Sequence, residues 1–387
     1  MLILRSESFA AFALIGFAVS DVLLKSAVIN LFLFLLLLIF LADKEVWTLR
    51  YWGAMPRFVY FWVALAVFGI IAILWSSTTD TYLLTSIKKL RFFILIPIFV
   101  VVYTKLKDWS NHFLTIVSLI LILNHFYALF NGGGLYDRIF FGFTSAVLLS
   151  LILNSLLLKR EIGINFLWLI LVLVGVFLVE DSRGGQISSM AIIFYFIVAS
   201  FFNGLISKKL FWLLILGTLL LLYIAFNFGY IDRFIRMIIV IPGYFSGNLV
   251  VESFVERAEY IRFGLSGFLD NPIIGNGLGA YPMLAIQYKS TNIDWGSVTN
   301  PHSQYTLLLS ELGVVGFVLY LAFFIGLISR TYRLNESIRN FAYAIAILIL
   351  LSSVYDSIFF DQRTGYFLVM LVSYIVSEIK KGTPAHG

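Results

Sequence analysis

The chain has 387 residues, of which 61% are hydrophobic and 12% charged, with a net charge of +6 and a mean hydropathy of +0.97. Soluble domains carry roughly 25% charged residues, so this composition excludes a soluble protein and defines a polytopic membrane protein. Cysteine is absent, which rules out disulfides and thiolate metal sites. Four scattered His residues make a zinc site an unsuitable reading, and the modest positive charge does not point to nucleic acid.

Apolar runs long enough to span a bilayer as helices recur from end to end, without the ~10-residue alternation of a membrane barrel. The sequence predicts about twelve spans: roughly 8–24, 27–42, 58–76, 84–104, 111–130, 139–158, 164–180, 187–204, 210–229, 304–329, 340–355 and 364–379. The expected architecture is all-α. Residues 1–229 form a first bundle of about nine helices, residues 230–303 a large loop, and residues 304–387 the last helices. Met1–Ser8 is too short for a cleavable signal, and the span after it reads as retained.

Charge sets the orientation. Arg5, Lys44, Arg50, Arg57, Lys105, Lys107, Lys159, Arg160, Lys208, Lys209, Arg330, Arg333, Arg339, Lys380 and Lys381 fall on one side, fifteen of the 27 Lys and Arg. That side is the cytoplasm by the positive-inside rule, and both termini face it. Asp21 interrupts the first span near its outer end. The connection after the third span breaks the rule: Lys88, Lys89 and Arg91 follow Thr79-Asp80-Thr81-Tyr82 on the outer side. They either snorkel to the interface or contact a lipid phosphate. Asn131-Gly132-Gly133-Gly134 reads as an outer turn, with Arg138 just beyond it and His125 before it. Glu180-Asp181-Ser182-Arg183-Gly184-Gly185-Gln186 is a second outer turn. Its two Gly could let backbone approach a ligand, or could simply make the turn tight.

The large loop opens with a predicted interfacial helix over Tyr230–Ile241. Val251, Val255, Ala258, Ile261, Leu265 and Phe268 recur three or four apart and predict an amphipathic helix resting on the bundle or the membrane surface. Arg257 and Arg262 lie on its polar face. Asn271-Pro272 ends it, and Gly275-Asn276-Gly277-Leu278-Gly279 reads as a flexible turn. The seam Asn300-Pro301-His302-Ser303-Gln304 then joins the loop to a hydrophobic helix carrying Glu311, Gly313 and Gly316. Ionisable groups at membrane depth are costly and therefore functional candidates.

The outer face thus collects Arg183, Arg257, Arg262, Lys88, Lys89, Arg91 and Arg138 around one well-placed titrating group, His302. Arg forks suit phosphate, and His is the usual base near neutral pH. This set suits a phosphate-linked lipid whose diphosphate leaves while His302 deprotonates an attacking hydroxyl. No carboxylate cluster stands ready for a divalent ion, so metal-independent chemistry without a cofactor is expected. Glu311 either supports that chemistry or anchors the seam to a neighbouring helix.

Pro301-His302-Ser303-Gln304-Tyr305 through Glu311-Leu312-Gly313 and Gly316 resembles the signature of the O-antigen ligase/polymerase superfamily. Arg257 through Asn271-Pro272 and Gly275-Asn276-Gly277 to Tyr281 resembles its large-loop pattern, and Ser182-Arg183-Gly184 its S-R-G turn. Ser303 stands where the family usually has Asn. The resemblance implies a GT-C-like, inverting glycosyltransferase in the bacterial inner membrane, its site on the periplasmic side. It implies transfer of a glycan from undecaprenyl diphosphate to an acceptor hydroxyl, which in ligases belongs to the lipid A-core. By position it assigns Arg183 and Arg257 to the diphosphate and His302 to the base. Arg262, near Arg257, is a further candidate for binding the diphosphate, and Lys88, Lys89, Arg91 and Arg138 are candidate contacts to lipid phosphates. A polymerase that extends lipid-linked glycan needs the same residues. A single large loop favours the ligase. A lipid-linked sugar transporter is the reading of a different class, but the sequence lacks the repeat symmetry between halves that transporters carry.

Overall fold

The computed structural model describes residues 6–23, 26–78, 80–106, 110–131, 138–158, 163–179, 183–227, 253–288, 298–359 and 361–382. Among the described residues every regular element is a helix. The first part of the chain gives α1 (Glu7–Leu23), α2 (Ser26–Ala42), the short α3 (Leu49–Gly53), α4 (Val59–Ile71), α5 (Asp80–Lys105), α6 (Ser110–Asn131), α7 (Arg138–Leu158), α8 (Gly163–Val174), α9 (Arg183–Phe202) and α10 (Lys208–Asn227). The second part gives α11 (Ser253–Asp270), α12 (Tyr281–Tyr288), α13 (Gln304–Arg330), α14 (Glu336–Tyr355) and α15 (Gln362–Lys381). Each of the twelve predicted spans falls on a helix, most with ends displaced by about one turn or less; the third and seventh leave the α-helical form five and six residues before their predicted ends. The interfacial helix expected over 230–241 lies outside the described residues, as do 132–137 and 180–182.

Among the described residues, five segments have the length and apolarity to cross a bilayer: His112–Asn131, Arg138–Leu157, Arg183–Phe202, Gln304–Arg333 and Glu336–Tyr355. The protein is an all-α polytopic membrane protein. In hydrocarbon, backbone polar groups have no water to bond, and a helix satisfies them within one segment.

Three helices form the centre. α15 is buried on nearly every side from Thr364 to Ser377, α7 is buried through Phe140–Leu149, and α5 through Val100–Tyr103. A helix that is apolar all round belongs inside a bundle. The Tyr103 hydroxyl donates to the Met370 carbonyl at 3.2 Å and ties α5 to α15. Trp62 of α4 packs against Phe323 and Phe93 at 4.5 and 4.8 Å between ring centroids, joining α4, α5 and α13. Asp21, near the end of α1, is fully buried, and Arg363 at the start of α15 donates to its backbone carbonyl at 3.0 Å. At the opposite end, Lys105 pairs with Asp43 at 3.1 Å and the Lys380 ammonium sits 3.7 Å from the Tyr51 ring centre.

The amphipathic helix predicted within the large loop is α11. Of its expected apolar face, Val255 is buried with Phe263, Tyr281 and Ala285, whereas Leu265 is 40% exposed. The cause is close approach through small residues. A Cβ on Gly264 would sit 2.5 Å from Thr306 Cγ2, and one on Gly267 would sit 2.5 Å from Leu284 Cδ1. Small residues let helix axes draw together, and here they, not the leucines, form the seam with α13 and α12.

Candidate functional site

The seam at 300–304 is held by its own polar side chains. His302 has φ 50°, the left-handed region that is uncommon outside Gly but enriched for His. Its N–H donates to Asn300 Oδ1 at 3.0 Å, which supports that turn. Ser303 caps α13, its hydroxyl accepting the Thr306 N–H at 3.3 Å. Ser and Asn are both strong caps, so Ser303 in the usual Asn position keeps this role. The Gln304 N–H donates to the Asp356 carbonyl at 3.0 Å, and Gln304 Oε1 accepts the Phe359 N–H at 3.2 Å. The seam is therefore docked on the end of α14.

That docking brings the Asp356 carboxylate to the His302 ring. Nδ1 and Oδ1 are 3.8 Å apart, an electrostatic contact longer than a hydrogen bond. Asp356 is also oriented by the Ser357 N–H at 2.8 Å. Nδ1 is buried while the His302 side chain as a whole is 34% exposed, so the ring presents a second, accessible edge. Tyr260 of α11 lies nearly parallel to the imidazole, with ring centroids 6.1 Å apart. Burial, with the Glu256 charge adding to it, raises the Tyr260 phenol above its ordinary range and keeps it protonated. Its carbonyl accepts the Tyr281 hydroxyl at 2.8 Å.

Below the seam, the two Gly-bearing motifs are fastened to each other. Gly313 has φ 63° and ψ −164° and breaks the hydrogen-bond ladder of α13. The freed Val314 and Val315 N–H groups donate to the carbonyls of Pro272 and Ile273 at 2.9 and 3.2 Å. In return, the Asn276 N–H bonds the Ser310 carbonyl at 3.0 Å and the Gly277 N–H bonds the Glu311 carbonyl at 2.9 Å. The Glu311 carboxylate accepts the N–H groups of Gly279 and of Tyr281, the latter at 3.4 Å. Gly275, Gly277 and Gly279 all have positive φ, and a Cβ on Gly275 would lie 2.4 Å from the Glu311 carbonyl carbon. The segment read from sequence as a flexible turn is largely buried, and its N–H groups are bonded. Its glycines serve close backbone approach.

The predicted cations divide into groups. Arg183 is the first residue of α9 and half-buried. A Cβ on Gly184 would meet the Tyr355 ring at 2.8 Å and one on Gly185 would meet Gly142 Cα at 2.4 Å, so both admit neighbouring helices. The Tyr355 hydroxyl donates to the Gly184 carbonyl at 2.9 Å, and a small cavity lined by Gly184, Ser188, Tyr355 and Asp356 connects the start of α9 to the His302–Asp356 pair. Arg257 is half-buried on α11, about one turn before Tyr260, and makes no hydrogen bond or ion pair to the described residues. Arg262 is committed to Glu259, with Nε–Oε1 at 2.9 Å and Nη2–Oε2 at 2.6 Å, and to the Tyr288 carbonyl at 3.3 Å. Lys88 is exposed. Lys89 turns inward to a cavity shared with Ser86, Gln304, Glu311 and several apolar side chains. Arg91 lies over the Tyr366 ring at 4.9 Å and the Phe92 ring at 5.2 Å. Arg138 is exposed at the start of α7. The structure thus joins His302, Asp356, Tyr260 and the Arg183 end of α9 around one place, puts Lys89 in a second cavity that Gln304 of the seam also lines, and holds Arg91 against aromatic rings.

Asp356 and Tyr260 are the residues the sequence reading missed. Tyr260 gave no signal. Asp356 did give one: with Asp361 it is one of two carboxylates between the last two apolar spans, on the side already assigned to His302.

A polytopic helical membrane protein with a His–Asp pair beside the start of α9 is the class these observations define. Residues 166–321, less than half of the chain, are similar to the Wzy_C family model, described as O-Antigen ligase. The match takes in Arg183, Arg257, His302 and Glu311, and it supports a glycosyltransferase-like, O-antigen ligase/polymerase type of function. No curated protein matches the chain.

Proposed function

We propose that the protein is an O-antigen ligase of GT-C type in the bacterial inner membrane, working on the periplasmic side. It moves a glycan from undecaprenyl diphosphate to a sugar hydroxyl of the lipid A-core. The carrying observation is His302, fixed in a left-handed turn with Asp356 on its buried nitrogen and its other edge accessible. In this reading Nε2 accepts the proton of the acceptor hydroxyl as that oxygen bonds the anomeric carbon. The bond from that carbon to the diphosphate breaks on the opposite face, which inverts the configuration. The electron pair leaves on undecaprenyl diphosphate, and Arg183 and Arg257 stabilise the charge that develops there. The nearby Asp356 carboxylate favours the imidazolium that forms. The step needs no metal ion.

The alternative is a polymerase, in which the acceptor hydroxyl belongs to a second lipid-linked glycan. The test uses the full chain in detergent with a polyprenyl-diphosphate glycan, lipid A-core and EDTA. Glycan appearing on lipid A-core supports the ligase. Longer lipid-linked glycan with none on lipid A-core rejects it in favour of the polymerase, and no product of either kind rejects both.

The same assay reads the arginines. Arg183→Ala and Arg257→Ala are each expected to weaken use of the donor by roughly 10- to 100-fold, the scale of losing a hydrogen bond to a charged group. Lys at either position restores only part, because the two-pronged contact is gone. Complete rescue by Lys would show that charge alone suffices.

A further inference from the structure

α11 and the turn after it belong to the part of the chain expected outside the membrane. We infer that the C-terminal half of α11 and the turn 271–278 form a re-entrant element immersed in the bilayer on the His302 side, with Leu265, Leu269, Ile273 and Ile274 facing lipid. The inference requires only that α13 crosses the membrane, and it is independent of the reaction proposed above.

Depth comes from register along α13. Gly264 of α11 meets Thr306, the Asn276 side chain bridges the carbonyls of Gly267 and Ser310, and Pro272 and Ile273 bond Val314 and Val315. α11 therefore descends beside α13. The far end of α13 is marked by Arg330. A hydrocarbon core takes about 20 helical residues, so the near boundary falls at about residue 310. At ~1.5 Å per residue, the turn bonded to Val314 and Val315 lies about 6–8 Å inside it.

Two independent features agree with that depth. Irregular backbone is tolerated at membrane depth only where protein satisfies its polar groups. In this turn the N–H groups of Gly275, Asn276, Gly277, Leu278, Gly279 and Tyr281 are taken by Asn271, Ser310, Glu311 and Ala72. The outward surface is apolar: Leu265 is 40% exposed, Leu269 74%, Ile273 69% and Ile274 43%. This row adjoins Val314 and Val318 of α13, themselves 43% and 53% exposed, so it continues the lipid-facing stripe of a spanning helix. One turn above Leu265, on the same side, stands Arg262, where a cation reaches the headgroups. The polar residues at the tip are paired within the element, Asp270 with the Tyr288 hydroxyl and the Asn271 amide with Asn276 at 2.7 Å.

The absence of cysteine makes the test direct. Single Leu269→Cys and Ile273→Cys variants of the full chain carry a nitroxide in phosphatidylethanolamine/phosphatidylglycerol liposomes. Val318→Cys marks lipid and Lys208→Cys marks water. All four positions are exposed, so labelling does not disturb a packed core. Relaxation by oxygen in excess of that by a water-soluble nickel chelate at both Leu269 and Ile273, as at Val318, is the expected result. Relaxation dominated by the nickel chelate at either position, as at Lys208, overturns the inference.

Discussion

His302→Ala is expected to lower glycan transfer by about 10²- to 10⁴-fold, the usual contribution of a positioned general base. The chain should still accumulate in membranes, because the ring is partly exposed and the docking of the seam runs through Ser303 and Gln304. Ala alone would be an ambiguous probe. Position 302 has a left-handed φ that Ala adopts at a cost of order 1–3 kcal/mol, so part of the loss could reflect a distorted turn. His302→Asn separates the effects: Asn tolerates that conformation and cannot act as a base. Equal losses in both variants assign the effect to the imidazole. Near-full activity in the Asn variant would remove His302 from the chemistry and leave it a turn residue.

Glu311→Ala is expected to act on stability first. The carboxylate is buried and accepts the Gly279 and Tyr281 N–H groups. Deleting it strands two donors, and each buried unsatisfied group costs about 1–3 kcal/mol. The Ala variant should melt well below the parent in detergent, while Glu311→Gln, which keeps an accepting oxygen, should lose much less. If Gln retains the melting temperature but loses transfer, the charge of Glu311 belongs to the chemistry. If Ala melts like the parent, the bonds between the two glycine motifs are not what holds α11 against α13.

The spans were legible because the bilayer imposes a length and a composition on each, and both are local properties of the sequence. The large-loop helix was legible for the same reason: Val255, Ala258 and Ile261 repeat at helical spacing. Its orientation was not. Hydrophobicity alone left open whether its apolar face met the bundle or the membrane surface, and the close approach at Gly264 and Gly267 sets the face that packs. The bonding of Glu311 to Gly279 and Tyr281 joins residues about thirty apart, and nothing in either segment names the other. Gly275, Gly277 and Gly279 therefore read as freedom where the fold uses them as room. Asp356 was missed through lack of a partner in sequence, being 54 residues from the ring it faces.

That separation has its own consequence. His302 immediately precedes α13, which runs toward the far side, and Asp356 immediately follows α14, which returns. The two meet only because the outward and return paths end at the same height and angle. Deleting one residue from α14 would displace its near end by about 1.5 Å and swing it through about 100°. The reversal at 331–335, a full membrane thickness away, thereby acts as the zero mark of a ruler read at the active end. Helix length between positions 302 and 356 is accordingly as strict a requirement of the site as the identities of the two residues.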